Sequence, residues 1–243
     1  MNIELIGTGS IGAVQMSAST LIDNKILIDL PNGIVKRLKQ THHNILDIET
    51  CLITHLHGDH FFDIPFFMLE KYFKKATNIT KIICPKGTKD KTKTLFDIGY
   101  PGEWDKVSKL AYVEFIEFEE LNKEKITDEL NVTSKIVEHG KLKPAYGYIV
   151  NIKGKNIGFS GDSKLCDNIF DIVEKSEISI LDMSVTEIKT KAHMSLYDIK
   201  EICKKYKNKI IVATHMHDYT REKAKEEKIE NLIIPEDGQI INI

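Results

Sequence analysis

The sequence predicts an α/β fold in which two mixed sheets are flanked by helices. Apolar runs of strand length are numerous, and several are joined by turns too short to hold a helix. Other runs alternate with segments of helical periodicity. No repeat or low-complexity linker divides the 243 residues, so we predict a single domain over 1–243. Antiparallel neighbours mixed with strand–helix units favour two sheets covered by helices over one doubly wound sheet.

The first half of the chain alternates strands and helices. Apolar residues on either side of the polar pair Asn24-Lys25 indicate a hairpin. In chain order the predicted elements are a strand at 2–6, the hairpin through 21–30, a helix at 32–40, a strand at 51–54, a helix at 64–73 and a strand ending at 82–85.

The second half repeats this alternation and ends in short strands. In chain order the predicted elements are strands at 111–118, 131–137, 146–152 and 155–160, a helix at 165–175, a strand at 178–183, a helix at 195–205, a strand at 210–214 and short strands near Ile233 and Ile240. The first four strands of this half lack intervening helices, which indicates antiparallel pairing.

Charge and composition narrow the classes of partner. The formal net charge is −2, and the arginines are Arg37 and Arg221, so bidentate arginine clamping of phosphate is scarce. This balance disfavours nucleic acid and an anionic membrane as partners. The four cysteines lack Cys-x-x-Cys spacing and predict buried thiols in a reduced protein. We expect a cytoplasmic protein, because no signal peptide or membrane-spanning run is evident.

The most specific motif is the segment at 54–60, which reads Thr-His-Leu-His-Gly-Asp-His. If it stays extended, the strand period of two places His55 and His57 on one side, where both imidazoles reach one ion. The glycine permits a tight turn, after which Asp59 and His60 present ligands in another direction. Surface histidines alone would give this pattern in roughly one shuffled sequence in a thousand. The segment therefore predicts a metal site that can serve two adjacent ions.

Further ligand types stand directly after apolar strands. His139 follows the strand at 131–137, Asp162 follows Phe159-Ser160-Gly161, and His215 follows the strand at 210–214. Strand ends are where α/β folds gather the groups of an active site. Each residue is a weak signal by itself, and their joint occurrence strengthens all three.

The chain resembles a known family along almost its whole length. The motifs that carry the resemblance are Gly7-Thr8-Gly9-Ser10, Leu27-Ile28-Asp29, Thr54–His60, Pro144-Ala145-Tyr146-Gly147-Tyr148, Phe159-Ser160-Gly161-Asp162-Ser163, Ala192-His193-Met194-Ser195 and Ala213-Thr214-His215. They are similar to those of the metallo-β-lactamase superfamily, and of its ribonuclease Z-like branch in particular. The resemblance implies a four-layer αββα sandwich and a dinuclear hydrolase.

The resemblance also implies a division of the ligands between two ions. One ion takes His55, His57 and His139, the other takes Asp59, His60 and His215, and Asp162 bridges them. Imidazole-rich ligation without thiolates suits Zn²⁺, and the carboxylates leave Mn²⁺ or Fe²⁺ open. Two such ions lower the pKa of a shared water, which attacks the substrate as a bridging hydroxide.

Three residues are candidates for catalysis. Asp59 can orient the attacking hydroxide. His193 matches the position of the resembled family that faces the leaving group, which implies a general acid or an oxyanion stabiliser. Asp182 stands where the branch usually has Glu and is a candidate partner that orients His193. Asp29 is more readily explained as a residue that supports a ligand than as a catalyst, and His217 as a polar loop residue.

A nucleotide-binding alternative comes from the motif Gly7-x-Gly9-x-x-Gly12 after the first strand, with Asp29 at the position of the ribose-binding acid. The segment after Gly12 is too short for a crossover helix before the next strand. The hairpin at 21–30 also implies antiparallel pairing. We therefore treat an NAD-binding module as the minor hypothesis.

The scissile bond is the remaining question. The 22 residues between His139 and Asp162 hold one hairpin, which leaves no room for the tRNA-gripping arm that bacterial ribonuclease Z enzymes insert there. With few arginines, a small or cyclic nucleotide-like phosphodiester is favoured over tRNA. Precursor tRNA, thioesters, lactones and sulfate esters stay open as alternatives. The apolar stretch at 61–68 is read as core, with a substrate mouth or a homodimer contact as alternatives.

Overall fold

The computed structural model describes residues 1–120, 123–187 and 190–243. The strands, in chain order, are β1 Asn2–Gly7, β2 Ser19–Ile22, β3 Ile26–Ile28, β4 Thr50–Leu52, β5 Thr80–Pro85, β6 Val113–Phe118, β7 Glu124–Lys125, β8 Leu130–Ile136, β9 Tyr146–Ile152, β10 Lys155–Phe159, β11 Ile178–Asp182, β12 Ile210–Thr214, β13 Leu232–Ile233 and β14 Gln239–Asn242. The helices are α1 Ile34–Gln40, α2 Gly58–Phe61, α3 Ile64–Phe73, α4 Thr88–Gly99, α5 Trp104–Leu110, α6 Asp167–Lys175, α7 Leu196–Lys205 and α8 Asp218–Glu226, with a 3₁₀ turn at Ile45–Asp47.

The chain separates into two compact units. The first comprises residues 1–7, 16–118 and 237–243, and the second comprises 8–15 and 119–236. Each unit contains one seven-stranded sheet and its own hydrophobic core. The interpretation of 1–243 as a single domain stays a prediction.

The sheet of the first unit is mixed and has the order β14-β1-β2-β3-β4-β5-β6. Neighbours from β14 to β3 run antiparallel, and neighbours from β3 to β6 run parallel. The hairpin turn at Asn24 takes positive φ values, which Asn tolerates better than most residues. The parallel strands need crossovers, and the helices α1 to α5 supply them.

The core of the first unit packs helix faces against this sheet. In α3, Ile64, Phe67 and Met68 are buried, while Phe66 on the opposite face is half exposed. The spacing i, i+3, i+4 is that of an amphipathic helix, which explains why periodicity located this helix at the predicted residues. The apolar stretch at 61–68 is thus largely core, as predicted, with Phe62 and Phe66 at the surface.

The sheet of the second unit is also mixed and has the order β13-β12-β11-β10-β9-β8-β7. The strands from β7 to β10 are antiparallel neighbours, and those from β10 to β13 are parallel neighbours. The β9–β10 hairpin occupies the interval between His139 and Asp162, as the sequence predicts. Both observed sheets therefore match the predicted α/β class with mixed pairing.

The sequence did not reveal the short helix α2 or the helices α4, α5 and α8, and in α4 and α8 the reason is that polar residues line much of the buried face. In α4 the buried residues are Thr88, Thr92 and Phe96, at a spacing of four. In α8 they include Thr220 and Arg221. In α5 only two large side chains face inward. An apolar periodicity cannot reveal a helix whose inward stripe is made of threonine and arginine.

The pairing of β1 contradicts the dinucleotide-binding hypothesis. β1 pairs antiparallel with β2, so the glycine motif is not followed by the parallel strand of a βαβ unit. Arg221 is buried and donates to the backbone carbonyl and the hydroxyl of Thr8 inside this motif. The motif is therefore a packed turn. None of the described helices is both long and apolar enough to cross a membrane.

The two outer glycines of the motif should respond differently to Ala. A Cβ at Gly7 would lie 2.1 Å from the carbonyl oxygen of Ser17, whereas one at Gly12 would meet nothing within 4 Å. We expect Gly7→Ala to lower the free energy of unfolding by about 3 kcal/mol, because the backbone would have to move to relieve this close contact. Gly12→Ala, the matched control, should change it by less than about 0.5 kcal/mol. Equal effects in urea denaturation would contradict this explanation.

Candidate metal centre

The histidine segment of the first unit is held in place by the buried carboxylate of Asp29. One oxygen of Asp29 accepts from the N–H of Thr54 at 2.8 Å, and the other accepts from its hydroxyl at 2.8 Å. The second oxygen also lies 2.8 Å from Nδ1 of His60. Asp29 has a left-handed backbone with φ 61°. It therefore supports a candidate ligand, as predicted, and keeps the proton of His60 on Nδ1.

His55 and His57 bring two nitrogens to one point within the same unit. Nε2 of His55 lies 3.2 Å from Nδ1 of His57. Two ligands at Zn–N bonds of 2.0–2.1 Å in a tetrahedron are about 3.3 Å apart. This pair has the predicted orientation, with both imidazoles on one side of the extended segment.

The prediction of a tight turn at Gly58 is wrong. Gly58 begins the short helix α2, which also contains Asp59 and His60. A Cβ at Gly58 would lie 2.8 Å from the ring of Phe62, so the glycine permits close packing of that ring. The helical turn still directs Asp59 and His60 together, since Oδ2 of Asp59 lies 3.8 Å from Nε2 of His60.

In the second unit Asp162 lies between two histidines. Its Oδ2 is 3.3 Å from Nε2 of His215 and 3.9 Å from Nε2 of His139. All three side chains are nearly inaccessible to solvent. The 3.3 Å separation again matches two ligands of one tetrahedral ion. The structure thus brings together the three strand-end residues that the sequence singled out.

Each histidine of this unit uses Nδ1 for support and presents Nε2. Nδ1 of His139 donates to the carbonyl of Ala192 at 2.8 Å, and Nδ1 of His215 lies 2.8 Å from the hydroxyl of Ser184. His215 follows β12 with φ 55°, a left-handed backbone conformation. Supporting bonds of this kind fix the tautomer of metal-binding histidines.

His193 bonds to Asp182, the partner proposed from the sequence. Nδ1 of His193 lies 2.9 Å from Oδ2 of Asp182, which is fully buried at the end of β11. Oδ2 of Asp162 is farther away, at 3.9 Å. Asp in place of Glu at this position is therefore long enough to reach the ring. Roles in catalysis stay proposals for both residues.

Two supporting groups were not found from the sequence. Ser184 is a serine in a segment without regular structure, and the Ala192 acceptor is a backbone carbonyl, which leaves no trace in side-chain identity. The predicted loop residue His217 is exposed, and its Nδ1 lies 2.9 Å from the hydroxyl of Ser10.

The donor set of both units fits divalent ions of the zinc type. It consists of imidazole nitrogens and carboxylate oxygens at ligand-like separations, and the supporting hydrogen bonds of His60, His139 and His215 are made through Nδ1. The four cysteines are free thiols. Burial raises the pKa of Cys84 to about 12 and that of Cys203 to about 11, so neither supplies a thiolate near neutral pH.

Comparisons with known proteins agree with this fold. A family model described as "Anti-Pycsar protein Apyc1" matches residues 1–238. A ribonuclease Z of Mycolicibacterium gilvum (strain PYR-GCK) is 25% identical over 181 residues, covering 68% of this chain and 63% of that protein. The chain spans less than two thirds of the length of the first two curated relatives, both named ribonuclease Z.

Solved structures resemble the chain over its full length. The short form of human tRNase Z matches with a TM-score of 0.78 and 17% identity, covering 100% of this chain and 99% of that one. A diphosphatase of the PhnP family matches with a TM-score of 0.75 and 18% identity, covering 100% and 97%. These likenesses confirm the predicted ribonuclease Z-like metallo-β-lactamase fold.

Proposed function

The chain belongs to the family of the anti-Pycsar protein Apyc1, and from its two sets of metal ligands we propose that it is a metal-dependent phosphodiesterase acting on a small or cyclic nucleotide-like phosphodiester. The observation that carries the proposal is the Asp162 carboxylate between His139 and His215, with Nε2 of both histidines presented to it. This arrangement suits divalent ions, which are the usual agents of phosphodiester hydrolysis in this fold.

We propose two ions per chain, most simply Zn²⁺. The assignment follows the family resemblance: His55, His57 and His139 for one ion, Asp59, His60 and His215 for the other, and Asp162 for both. When bound, the ions supply an activated water and neutralise charge that develops on the phosphate. With the ions bound, the carboxylate of Asp59 would accept a hydrogen bond from the attacking water and so orient it.

His193 is the proposed proton donor for the leaving alkoxide. Its Nδ1–H donates to Asp182, which stabilises the imidazolium form, and Nε2–H of that form is the proton that departs. The side chain of His193 is 25% exposed, whereas that of Asp182 is 0% exposed. Because His193 is partly exposed, it can contact the substrate, and because the buried carboxylate of Asp182 holds it, its orientation stays fixed.

The absence of an arginine clamp supports a small substrate. Of the two arginines, Arg221 is 2% exposed and donates to Pro235 and Thr8, so it is committed to packing. The β9–β10 hairpin fills the interval where the tRNA-binding arm of bacterial ribonuclease Z would stand. A long polyanion is usually held by many cationic contacts outside the reaction centre.

Precursor tRNA is the second candidate substrate. It is supported by the curated relatives, which are named ribonuclease Z, and by the human tRNase Z likeness. The ligand set does not distinguish the two substrates, because the same centre cleaves either phosphodiester. Thioesters, lactones and sulfate esters are further alternatives for the same reason.

A substrate panel tests the proposal. Purified protein would be assayed with Zn²⁺ or Mn²⁺ on 3′,5′-cyclic mononucleotides, cyclic dinucleotides, bis(p-nitrophenyl) phosphate, a thioester, a lactone and a precursor tRNA. We expect kcat/KM on at least one cyclic nucleotide to exceed that on tRNA by about a hundredfold or more, a difference of about 2.7 kcal/mol. Faster cleavage of tRNA would favour the second candidate.

Metal analysis provides an independent check of the same proposal. We expect about two ions per chain by inductively coupled plasma mass spectrometry, and complete loss of turnover after chelation, restored by Zn²⁺ or Mn²⁺. A chain that binds no metal at micromolar concentrations would contradict it. The cytoplasmic location and the homodimer also stay proposals, to be tested by cell fractionation and by light scattering.

A further inference from the structure

We infer that Ser184 is a positioning residue that joins the metal ligand His215 to the carboxylate of Asp182. One buried acid then orients both His215 and His193. The inference rests on the proposed function for the role of the metal. It assigns a task to a residue that neither the motifs nor the comparisons single out. Ser184 lies two residues after the end of β11 and is fully buried.

The hydroxyl of Ser184 stands between a histidine nitrogen and a carboxylate oxygen. Its Oγ is 2.8 Å from Nδ1 of His215 and 2.7 Å from Oδ1 of Asp182. A hydroxyl has one hydrogen to donate and two lone pairs that accept. The hydroxyl of Ser184 donates to Oδ1 of Asp182, so its oxygen receives the Nδ1–H of His215. This direction of donation keeps Nε2 of His215 available as the ligand atom.

A second acceptor competes for the same hydrogen. The backbone carbonyl of His215 lies 2.9 Å from Oγ of Ser184, and Nδ1 of His193 lies 3.2 Å from it. The carboxylate is both nearer and charged, and hydrogen bonds to ionised acceptors are about twice as strong as neutral ones. Nδ1 of His193 is nearer to Asp182, at 2.9 Å. The favoured arrangement is therefore one in which His215 donates to Ser184 and Ser184 donates to Asp182.

The backbone of Ser184 is fixed from both sides. Its N–H donates to Oδ1 of Asp182 at 3.0 Å. Its carbonyl accepts from the hydroxyl of Thr220 at 2.8 Å and from the N–H of His217 at 3.3 Å. The side chain consequently reaches His215 without the entropic cost of ordering a mobile loop. A hydroxyl held in this way orients a ligand before the metal arrives.

The carboxylate of Asp182 connects the two histidines. Oδ2 accepts from His193 and from the N–H of Ser163 at 3.1 Å, while Oδ1 accepts from the hydroxyl of Ser184. The rings of His193 and His215 stack with centroids 5.2 Å apart and an interplanar angle of 12°. Movement of the carboxylate would turn both rings together. Ser184 thereby links metal affinity to the geometry of the proposed acid.

Removal of the hydroxyl should weaken metal binding. We expect Ser184→Ala to lower the affinity for the ion that His215 would hold by about 10- to 100-fold, as is typical when the hydrogen-bonding support of a ligand is lost. Ser184→Thr keeps a hydroxyl and should bind more tightly than Ser184→Ala. At saturating metal we expect kcat of Ser184→Ala to fall several-fold, with KM within about twofold, because the orientation of His193 also suffers.

Ser179→Ala is the matched control. Ser179 is fully buried in β11, and its hydroxyl has no hydrogen-bond partner among the described residues. The substitution is the same, in the strand that carries Asp182, yet it removes no bond to the site. Its metal affinity should equal that of wild type within about twofold.

The experiment titrates metal-free protein with Co²⁺. Binding is monitored through the visible absorption of the bound ion, and the affinity is measured by competition with a chromophoric chelator. Weaker binding by Ser184→Ala than by Ser179→Ala and Ser184→Thr supports the inference. Equal affinity of Ser184→Ala and wild type overturns it, as does tighter binding by Ser184→Ala than by Ser184→Thr. Failure of the wild type to bind Co²⁺ or Zn²⁺ would instead overturn the proposed function. A two-state thermal transition in each metal-free variant confirms that it is folded.

Discussion

Replacement of Asp162 by Ala is expected to abolish turnover while the protein stays folded. Oδ2 of Asp162 lies 3.3 Å from Nε2 of His215 and 3.9 Å from Nε2 of His139, and the carboxylate is 3% exposed. Without it, these imidazoles lose the anion placed between them, so an ion in this unit would be held less tightly and with more residual charge. Metal stabilisation of a transition state amounts to several kcal/mol, so kcat/KM should fall about a thousandfold or more.

The stability of this variant should change in the opposite direction from its activity. A buried carboxylate among groups preorganised for a cation is costly in the metal-free protein, since its desolvation is not fully offset. We expect the melting temperature of metal-free Asp162→Ala to be equal to or above that of metal-free wild type. Added Zn²⁺ should raise the melting temperature of wild type more than that of the variant.

Asp128→Ala provides the control for loss of a carboxylate. The side chain of Asp128 is 95% exposed and forms an ion pair with Lys125 at 2.8 Å. Exposed pairs of this kind contribute little, so activity, metal content and melting temperature should match wild type. Metal content by mass spectrometry and initial rates with saturating Zn²⁺ would be measured on all three proteins. Wild-type turnover by Asp162→Ala would remove this residue from the proposed centre.

The positions of the candidate ligands could be predicted because they follow from strand geometry. His139 and Asp162 each stand three residues beyond the last residue of a strand of the second sheet, and His215 stands directly after one. A strand end is readable from the point where an apolar run stops. His55 and His57 followed from the period of two. In each case the chemistry of the side chain and its place along one element were sufficient.

The supporting contacts could not be predicted, because they depend on how distant segments pack. Nδ1 of His139 donates a hydrogen bond to a carbonyl 53 residues away in the sequence, and Ser184 is hydrogen-bonded to His215, which lies 31 residues away. Helices α4 and α8 could not be predicted for the same reason. Thr92 in α4 and Arg221 in α8 face inward because neighbouring elements offer them space or acceptors. A single sequence shows neither the space nor the acceptor.

The second large effect should follow from replacing His193 by Ala. Loss of a positioned general acid typically lowers the rate 10²- to 10⁴-fold when the leaving group needs a proton. We therefore expect a decrease of about a thousandfold on a substrate with an alkoxide leaving group, such as a ribose hydroxyl. On bis(p-nitrophenyl) phosphate the decrease should be less than about tenfold, since p-nitrophenolate leaves without protonation.

Metal content should be unaffected by this substitution, which separates His193 from the ligands. Asp182 accepts four hydrogen bonds, from the N–H and hydroxyl of Ser184, the N–H of Ser163 and Nδ1 of His193. Removal of His193 leaves three of them, so the carboxylate keeps its place and His215 keeps its support through Ser184. Affinity for Zn²⁺ should thus stay within about threefold of wild type.

The comparison of two substrates makes this prediction specific to proton donation. A merely structural role for His193 would slow both substrates alike, whereas an acid changes the dependence of rate on the pKa of the leaving group. His42→Asn is the control, because His42 is exposed and its φ of 65° is one that Asn tolerates. A series of aryl and alkyl phosphodiesters, assayed with wild type and both variants, measures that dependence. If the slope against leaving-group pKa is the same for His193→Ala and wild type, His193 is not the proton donor, and a solvent molecule must protonate the alkoxide instead.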